Sequence, residues 1–211
     1  MSMDLGFSAD GPTSWTAQAW RSHHGASRMT SVAEAGGAPP PPGDGVLFLG
    51  EDNPQSADKV HALWPHPPGC AGHRLVAILG LHLVDYLSCW RMNLCSFRWS
   101  VAFARERARS LLLSNSSSDP WRTVVLLGRR VADVVSAVVG VEVPTWGWTP
   151  HRVRSGGGVV DLALASIPHP SGRSRAWNDP LADARARDLL RDLEPRVPWG
   201  DLNYPLLRGA P

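Results

Sequence analysis

Apolar residues along the chain follow two patterns that together predict alternating strands and helices. Short apolar runs bounded by Gly or polar residues predict buried strands at 46–49, 92–95, 124–127 and 159–167. Helical spacing, or a helix-forming content of Arg and Ala, predicts helices at 70–86, 101–113, 129–139 and 181–193. This alternation favours an α/β fold, a three-layer αβα sandwich around a short, mostly parallel central sheet.

The predicted elements divide the chain into three parts. Residues 1–44 are rich in Gly, Ser, Ala and Pro, and we expect an irregular, mobile arm there. Residues 45–195 hold the predicted strands and helices and form the α/β domain. Residues 196–211 are Pro-rich, and we expect this C-terminal tail to lie on the surface.

Composition narrows the class of protein. Hydrophobic residues make up 43% and charged residues 19% of the 211 residues, as in soluble globular proteins. The net charge of +2 is too small to indicate a nucleic-acid partner by itself. The three cysteines are irregularly spaced, and the chain has neither a membrane-length apolar run nor a signal-peptide core. We expect a monomeric, cytoplasmic protein without membrane contact.

Polar residues stand where three of the predicted strands end. The run 50–54 (Gly-Glu-Asp-Asn-Pro) follows the first strand, Asn93 lies in the second, and the run 168–172 (Pro-His-Pro-Ser-Gly) follows the last. In open α/β sheets, ligands bind in the crevice outside the carboxyl ends of the strands. These three groups are therefore expected to converge on one ligand site.

The same runs resemble the motifs of the uracil-DNA glycosylase superfamily. The first is similar to the family's Gly-Gln-Asp-Pro-Tyr or Gly-Glu-x-Pro-Gly loop, and the last to its His-Pro-Ser-Pro or Asn-Pro-Ser-Gly motif. Between them, Asn93 and the strand, Gly and Ala of 124–132 match further family positions. The resemblance covers about residues 45–193. It implies a monofunctional DNA glycosylase that flips a base out of double- or single-stranded DNA and leaves an abasic site.

The resemblance also implies catalytic roles, which suit the chemistry of the bond. A glycosidic bond breaks more easily when a donor meets the departing base and a carboxylate stands near the sugar. His169 is the candidate donor. Asp52 matches the family's water-positioning aspartate, although Glu51 could take that role.

Other residues are candidates for binding rather than catalysis. Asn93 offers a donor and an acceptor on one amide, as a pyrimidine edge requires. Trp64 ends the run 61–64 (His-Ala-Leu-Trp), which resembles the family's His-Gly-Leu-x-Phe stretch with its base-stacking aromatic. Asn53 and Pro54 complete the expected base-binding set. The expected DNA-binding residues, which include Arg173 at the place of the family's wedge residue, are Ser171, Gly172, Arg173, Ser174 and Arg175.

At Pro54 the sequence differs from the family's motif in a way that affects which substrate is expected. Strict uracil enzymes of the family place a Tyr here, whose ring excludes a 5-methyl group. Without that ring, we expect room for a bulky 5-substituent, such as that of glucosylated hydroxymethylcytosine in phage DNA, and hence an antiviral role. Gln55, Asp58 and His61 could bond the sugar hydroxyls. The alternatives are a housekeeping uracil or mismatch repair glycosylase and a catalytically inactive DNA-binding module.

No cofactor is expected. Some family members hold an iron–sulfur cluster on four cysteines, but three cysteines cannot supply four thiolates. His66, Cys70 and His73 could suggest zinc, yet a loop that leads into a helix is the simpler interpretation.

Overall fold

The computed structural model describes residues 45–53, 61–113, 121–155 and 158–200. The predicted N-terminal arm, 1–44, lies outside these ranges. The strands are β1 (Gly45–Gly50), β2 (Trp90–Asn93), β3 (Trp121–Leu127), β4 (Gly147–Ser155) and β5 (Gly158–Ile167). The helices are α1 (Ala71–Leu79), α2 (Leu83–Ser88), α3 (Val101–Leu113), α4 (Arg129–Val139) and α5 (Ala182–Leu193), with a 3-10 helix at Arg175–Asn178.

Within the described residues, the strands form one five-stranded sheet in the order β2-β1-β3-β5-β4. β1 pairs in parallel with β2 and β3, and β3 pairs in parallel with β5, whereas β4 is antiparallel to β5. The prediction of an α/β fold with a mostly parallel sheet is confirmed. Because β1, β2, β3 and β5 run the same way, their carboxyl ends lie along one edge of the sheet.

Side chains of each central strand alternate between two hydrophobic cores. Leu47 and Leu49 of β1 join one core with residues of α3 and α4. Phe48, between them, joins a second core with residues of α1, α2 and α5. Helices therefore cover both faces of the sheet, an arrangement compatible with three layers. No helix in the described ranges has the length and apolar character needed to cross a bilayer.

The structure corrects the prediction of one helix over 70–86. α1 ends at Leu79 and is capped by Gly80, which has φ 62° and ψ 34°, and α2 begins only at Leu83. A left-handed residue ends an α-helix, and Gly adopts this conformation without steric cost.

Strand β4 was not predicted at all. Its exposed Trp148 and its Pro150 interrupt the apolar pattern that marks the other strands. Proline has no N–H to donate to a neighbouring strand, so in sheets it is confined largely to edges. β4 occupies an edge of this sheet, which explains why Pro150 is tolerated there.

The expectation that the chain from 196 onwards lies on the surface is wrong for Trp199. Its side chain is 3% exposed and joins the second core. The indole N–H donates to the Glu194 carbonyl at 2.8 Å, and the ring meets Phe48 edge-on at 6.4 Å. The folded domain thus extends to at least Gly200, whose N–H donates to the Leu79 carbonyl. Residues 201–211 lie outside the described ranges.

Candidate active site

A cleft of about 670 Å³ lies at the carboxyl edge of the sheet. It brings together every predicted catalytic residue and, among the described residues, every predicted base-binding residue. These are Glu51, Asp52, Asn53, Trp64, Asn93 and His169. Pro54, the remaining base-binding candidate, lies outside the described residues, as do Gln55 and Asp58. His61, which the sequence suggested as a contact for a substituent, also lines the cleft.

Backbone hydrogen bonds continue the pairing of β1 and β2 into the cleft. The Leu94 N–H donates to the Gly50 carbonyl at 3.0 Å, and the Cys95 N–H donates to the Glu51 carbonyl at 2.9 Å. These bonds fix the start of the loop that carries Glu51 and Asp52. The loop's next residue, Asn53, donates from its side-chain amide to the His61 carbonyl at 3.2 Å.

The two carboxylates at the end of β1 differ in their surroundings. Glu51 accepts from the Arg130 guanidinium at 3.4 Å, and its side chain is 21% exposed. Among the described residues, Asp52 makes no ion pair, and it remains available to a ligand. Arg130 belongs to α4, so the pair joins the end of β1 to the helix that follows β3.

Asn93 ends β2 directly beside Gly50 of β1. A Cβ at Gly50 would collide with the Asn93 side-chain oxygen, so Gly at this position makes room for the amide. The Asn93 Oδ1 is buried and has no hydrogen-bond partner in the described structure. A buried acceptor without a partner is costly, which makes it a natural contact for a donor on a ligand.

His169 follows β5 by two residues, and its ring has a defined hydrogen bond. The Ser171 N–H donates to the ring Nδ1 at 3.2 Å. Because Nδ1 accepts, the proton of the neutral ring resides on Nε2, which is then a donor. Burial lowers the pKa of His169, while Glu51 and Asp52 oppose this effect. The site therefore holds a neutral imidazole with a donor Nε2–H.

The backbone around His169 is held from two sides. The Trp177 indole N–H donates to the His169 carbonyl at 2.9 Å. The Arg74 Nε donates to the Pro170 carbonyl at 2.9 Å. Arg74 belongs to α1 and Trp177 to the 3-10 helix, so two separate elements position this loop.

Gly128, directly after β3, lies against His169. Its φ of 95° and ψ of 158° belong to a region that is essentially restricted to glycine. A Cβ built there would lie 2.9 Å from the His169 Cβ and 3.4 Å from the Glu51 Oε1. The absence of a side chain at Gly128 thus leaves space for His169 and Glu51.

Trp64 reaches the cleft from the segment before α1. Its carbonyl accepts from the Cys70 thiol at 3.1 Å. Gly72 packs so closely on this segment that a Cβ there would collide with the carbonyl oxygens of Leu63 and Trp64. The start of α1 thereby positions the backbone of Trp64, whose indole is half-buried.

The expected DNA-binding run, 171–175, does not line the cleft but follows His169 along the chain. Gly172, Arg173 and Arg175 are exposed, whereas Ser171 and Ser174 are half-buried. A backbone hydrogen bond from the Ser174 N–H to the Ser171 carbonyl closes a turn. The two arginines are thus free to meet a large ligand.

In the described part of the chain, no three His, Cys, Asp or Glu side chains gather in a way that could hold a metal ion. No protein-family model and no curated protein matches the chain. The family resemblance therefore rests on this chain's own residues.

Several residues that shape the site were not predicted from the sequence. Leu63, His66, Cys70, Ala71 and Gly72 line the cleft. The start of α1 was predicted, but nothing local indicates that it packs beside the carboxyl ends of β1 and β2. Gly128, by contrast, has a recognisable signal, since a Gly directly after a buried strand indicates a close approach or an unusual backbone conformation.

We expect Gly128→Ala to lower the free energy of unfolding by roughly 3 kcal/mol, because it adds backbone strain and a clash with His169. Gly140→Ala is the matched control: Gly140 also has a positive φ, 75°, but no atom lies within 4 Å of its added Cβ. The control should cost only about 1 kcal/mol. Urea denaturation measures both, and equal losses would contradict the close approach to His169.

We expect the pKa of His169 to lie below the ordinary histidine value of about 6.5. The Glu51→Gln and Asp52→Asn variants should lower it further, because each removes a negative charge that favours the protonated ring. Asp161→Asn is the control and should have no effect, because Asp161 lies on β5 and pairs with Arg152 of β4. An NMR pH titration of the ring carbons measures these shifts. A pKa above the ordinary value, or one insensitive to both carboxylates, would contradict the assigned surroundings.

Proposed function

We propose that the protein is a monofunctional DNA glycosylase with a uracil-DNA glycosylase-like fold. It hydrolyses the N-glycosidic bond of a pyrimidine flipped out of DNA and leaves an abasic site. One observation carries this proposal: Asp52, Asn93 and His169, from the ends of three different strands, line a single cleft. The strand ends that resemble the family's motifs are therefore the ones that converge.

In the proposed reaction, negative charge develops on the base and positive charge on the sugar. The site has one group to stabilise each of these charges. The C1′–N bond breaks with its electron pair going to the base, which becomes anionic, while the sugar becomes cation-like. The neutral His169 ring donates from Nε2 to the base oxygen on which negative charge develops. A donor in a water-poor site stabilises such charge more in the transition state than in the ground state.

Asp52 serves the sugar side of the same reaction. Its carboxylate stabilises the cation-like sugar and orients the water that adds to C1′. The water's oxygen completes the abasic sugar, and its remaining proton neutralises the base anion. Glu51 is less suited to this role because it is already engaged with Arg130.

Asn93 and Trp64 recognise the flipped base. The unpartnered Oδ1 of Asn93 accepts from a pyrimidine N–H, and the side-chain NH₂ donates to an exocyclic oxygen. A buried polar group that lacks its partner penalises bases with the wrong edge. Trp64 offers an aromatic surface on which the extruded base stacks.

The DNA backbone binds along the carboxyl edge outside the cleft. Arg173 and Arg175 are exposed in the loop after His169, and Arg129 is exposed at the start of α4. Arginine binds phosphate through a planar, bidentate fork. Arg173, the residue after the Ser-Gly turn, also has the length to fill the gap that a flipped base leaves in the duplex.

The proposed substrate is a pyrimidine with a bulky 5-substituent, with glucosylated hydroxymethylcytosine of phage DNA as the example. Pro54 in the sequence, in place of a ring that would exclude a 5-methyl group, supports this choice. So does His61, a polar side chain on the cleft wall that could bond a sugar hydroxyl. Removal of such bases from invading DNA would be an antiviral activity.

Abasic-site formation in defined oligonucleotides tests the proposed function. Single- and double-stranded DNA would carry uracil, glucosylated hydroxymethylcytosine or plain cytosine. We expect alkali-labile sites at the modified cytosine and none at cytosine. His169→Ala should lower the single-turnover rate by roughly 10²–10³ without loss of DNA binding, since it removes a transition-state donor. His82→Ala, an exposed histidine at the start of α2, is the control.

The other outcomes of this assay separate the alternatives. Abasic sites at uracil alone would indicate a repair glycosylase. DNA binding without any abasic site would indicate a binding module and overturn the enzymatic proposal.

We expect Asp52→Asn to lower the single-turnover rate at least roughly a hundredfold, and Glu51→Gln to lower it clearly less. The physical reason is the ion pair of Glu51 with Arg130, which leaves Asp52 as the available carboxylate. Both variants keep the side-chain volume, so each serves as the other's control. The reverse order of effects would exchange the two roles.

A further inference from the structure

Arg91 of β2 lies beside Trp64, which lines the cleft, whereas Arg91 is not among the lining residues. Its guanidinium carbon is 5.9 Å from the centre of the Trp64 ring and 5.1 Å from that of Tyr86. The guanidinium thus contacts two aromatic rings, one of which, Trp64, lines the cleft. Its Nη1 donates to the carbonyls of Tyr86, at 2.9 Å, and Cys89, at 3.3 Å.

The charge of Arg91 is not neutralised within the described structure. None of the described carboxylates lies within ion-pair distance of it, and its buried Nε has no hydrogen-bond partner there. Burial lowers the pKa of Arg91, but a guanidinium stays protonated at neutral pH. Burying a cation without a carboxylate is costly, so an unpaired cation beside a cleft calls for a function.

We propose that Arg91 is a positioning residue that acts through Trp64: it contacts the indole and favours negative charge on a planar ring stacked on that indole. This inference rests on the proposed function, in which the departing base becomes anionic. Carbonyl and ring contacts satisfy Arg91 only in part, so its positive charge remains uncompensated beside a ring that lines the cleft. The cation is in place before the reaction, so no reorganisation is needed when charge develops.

The expected size of the effect follows from the distances. A base stacked on the far face of Trp64 lies roughly 10 Å from the guanidinium. A unit charge at that distance, in surroundings of intermediate polarity, alters an anion's stability enough to change a rate or a binding constant roughly tenfold. A neutral base gains little.

Two measurements test this role with the same variants. Arg91→Gln removes the charge but keeps a donor for the Tyr86 carbonyl, and Arg91→Lys keeps the charge. Arg187→Gln is the matched control, because Arg187 also donates to two backbone carbonyls, those of Ile78 and Ala77, away from the cleft. Thermal denaturation establishes that each variant folds, and Arg91→Met replaces Arg91→Gln if the latter does not.

The first measurement is calorimetric binding of barbiturate, an anionic pyrimidine, and of neutral uracil. We expect Arg91→Gln to weaken barbiturate binding roughly tenfold and uracil binding much less, with Arg91→Lys close to the wild type. If the variant weakened the binding of both ligands equally, or of neither, Arg91 would have only a packing role and the inference would be overturned.

The second measurement is single-turnover release of uracil and of 5-fluorouracil from DNA. 5-Fluorouracil is the better leaving group and needs less help, so Arg91→Gln should slow its release less than that of uracil. The same slowing for both bases would contradict the inference. Barbiturate binding does not require catalysis. A wild-type protein that binds the anion through Arg91 but releases no base therefore contradicts the proposed function and supports this one.

Discussion

The parallel pairing of β2, β1, β3 and β5 is the constraint on which the candidate site depends. It aligns Gly50 with Asn93 and, through β3, aligns Leu127 with Ile167. The chain leaves each of these strands at the same edge, and the next few residues contribute the cleft's polar groups. A strand that ran the other way would carry its polar residues to the opposite edge. The fold thus converts three separate sequence motifs into one site.

His169 illustrates how neighbouring elements define the chemistry of one side chain. The Ser171 N–H fixes which ring nitrogen accepts, and burial favours the neutral ring over the charged one. Gly128 leaves the space that the residue occupies, while Trp177 and Arg74 hold the adjacent carbonyls. A neutral donor suits a leaving group that becomes negative during bond cleavage. Arg91 is proposed to act on the same charge through Trp64.

Much of the fold could be predicted from the sequence because its signals are local. Buried apolar runs revealed β1, β3 and β5, and helical spacing revealed α4 with its observed bounds. The edge strand β4 escaped prediction because one of its faces is exposed and Pro150 interrupts its pattern. The burial of Trp199 was not predicted because its partner, Phe48, is distant in the chain.

The candidate site, like the fold, has features that could be predicted from the sequence and others that could not. Asp52, Asn93 and His169 could be predicted because polar residues at strand ends are visible in the sequence. The contact of Gly128 with His169 and the stacking of Arg91 on Trp64 arise from tertiary packing, which no local pattern encodes.

The most direct test of the central claim is mass spectrometry of the small molecules that the purified protein releases from DNA containing a modified pyrimidine. Hydrolysis of the glycosidic bond predicts the free base with its substituent intact, in amounts that match the abasic sites left in the strand. Nucleosides, nucleotides or a deaminated base would show that a different bond is cleaved. Such products, or the recovery of only unchanged DNA, would contradict the account.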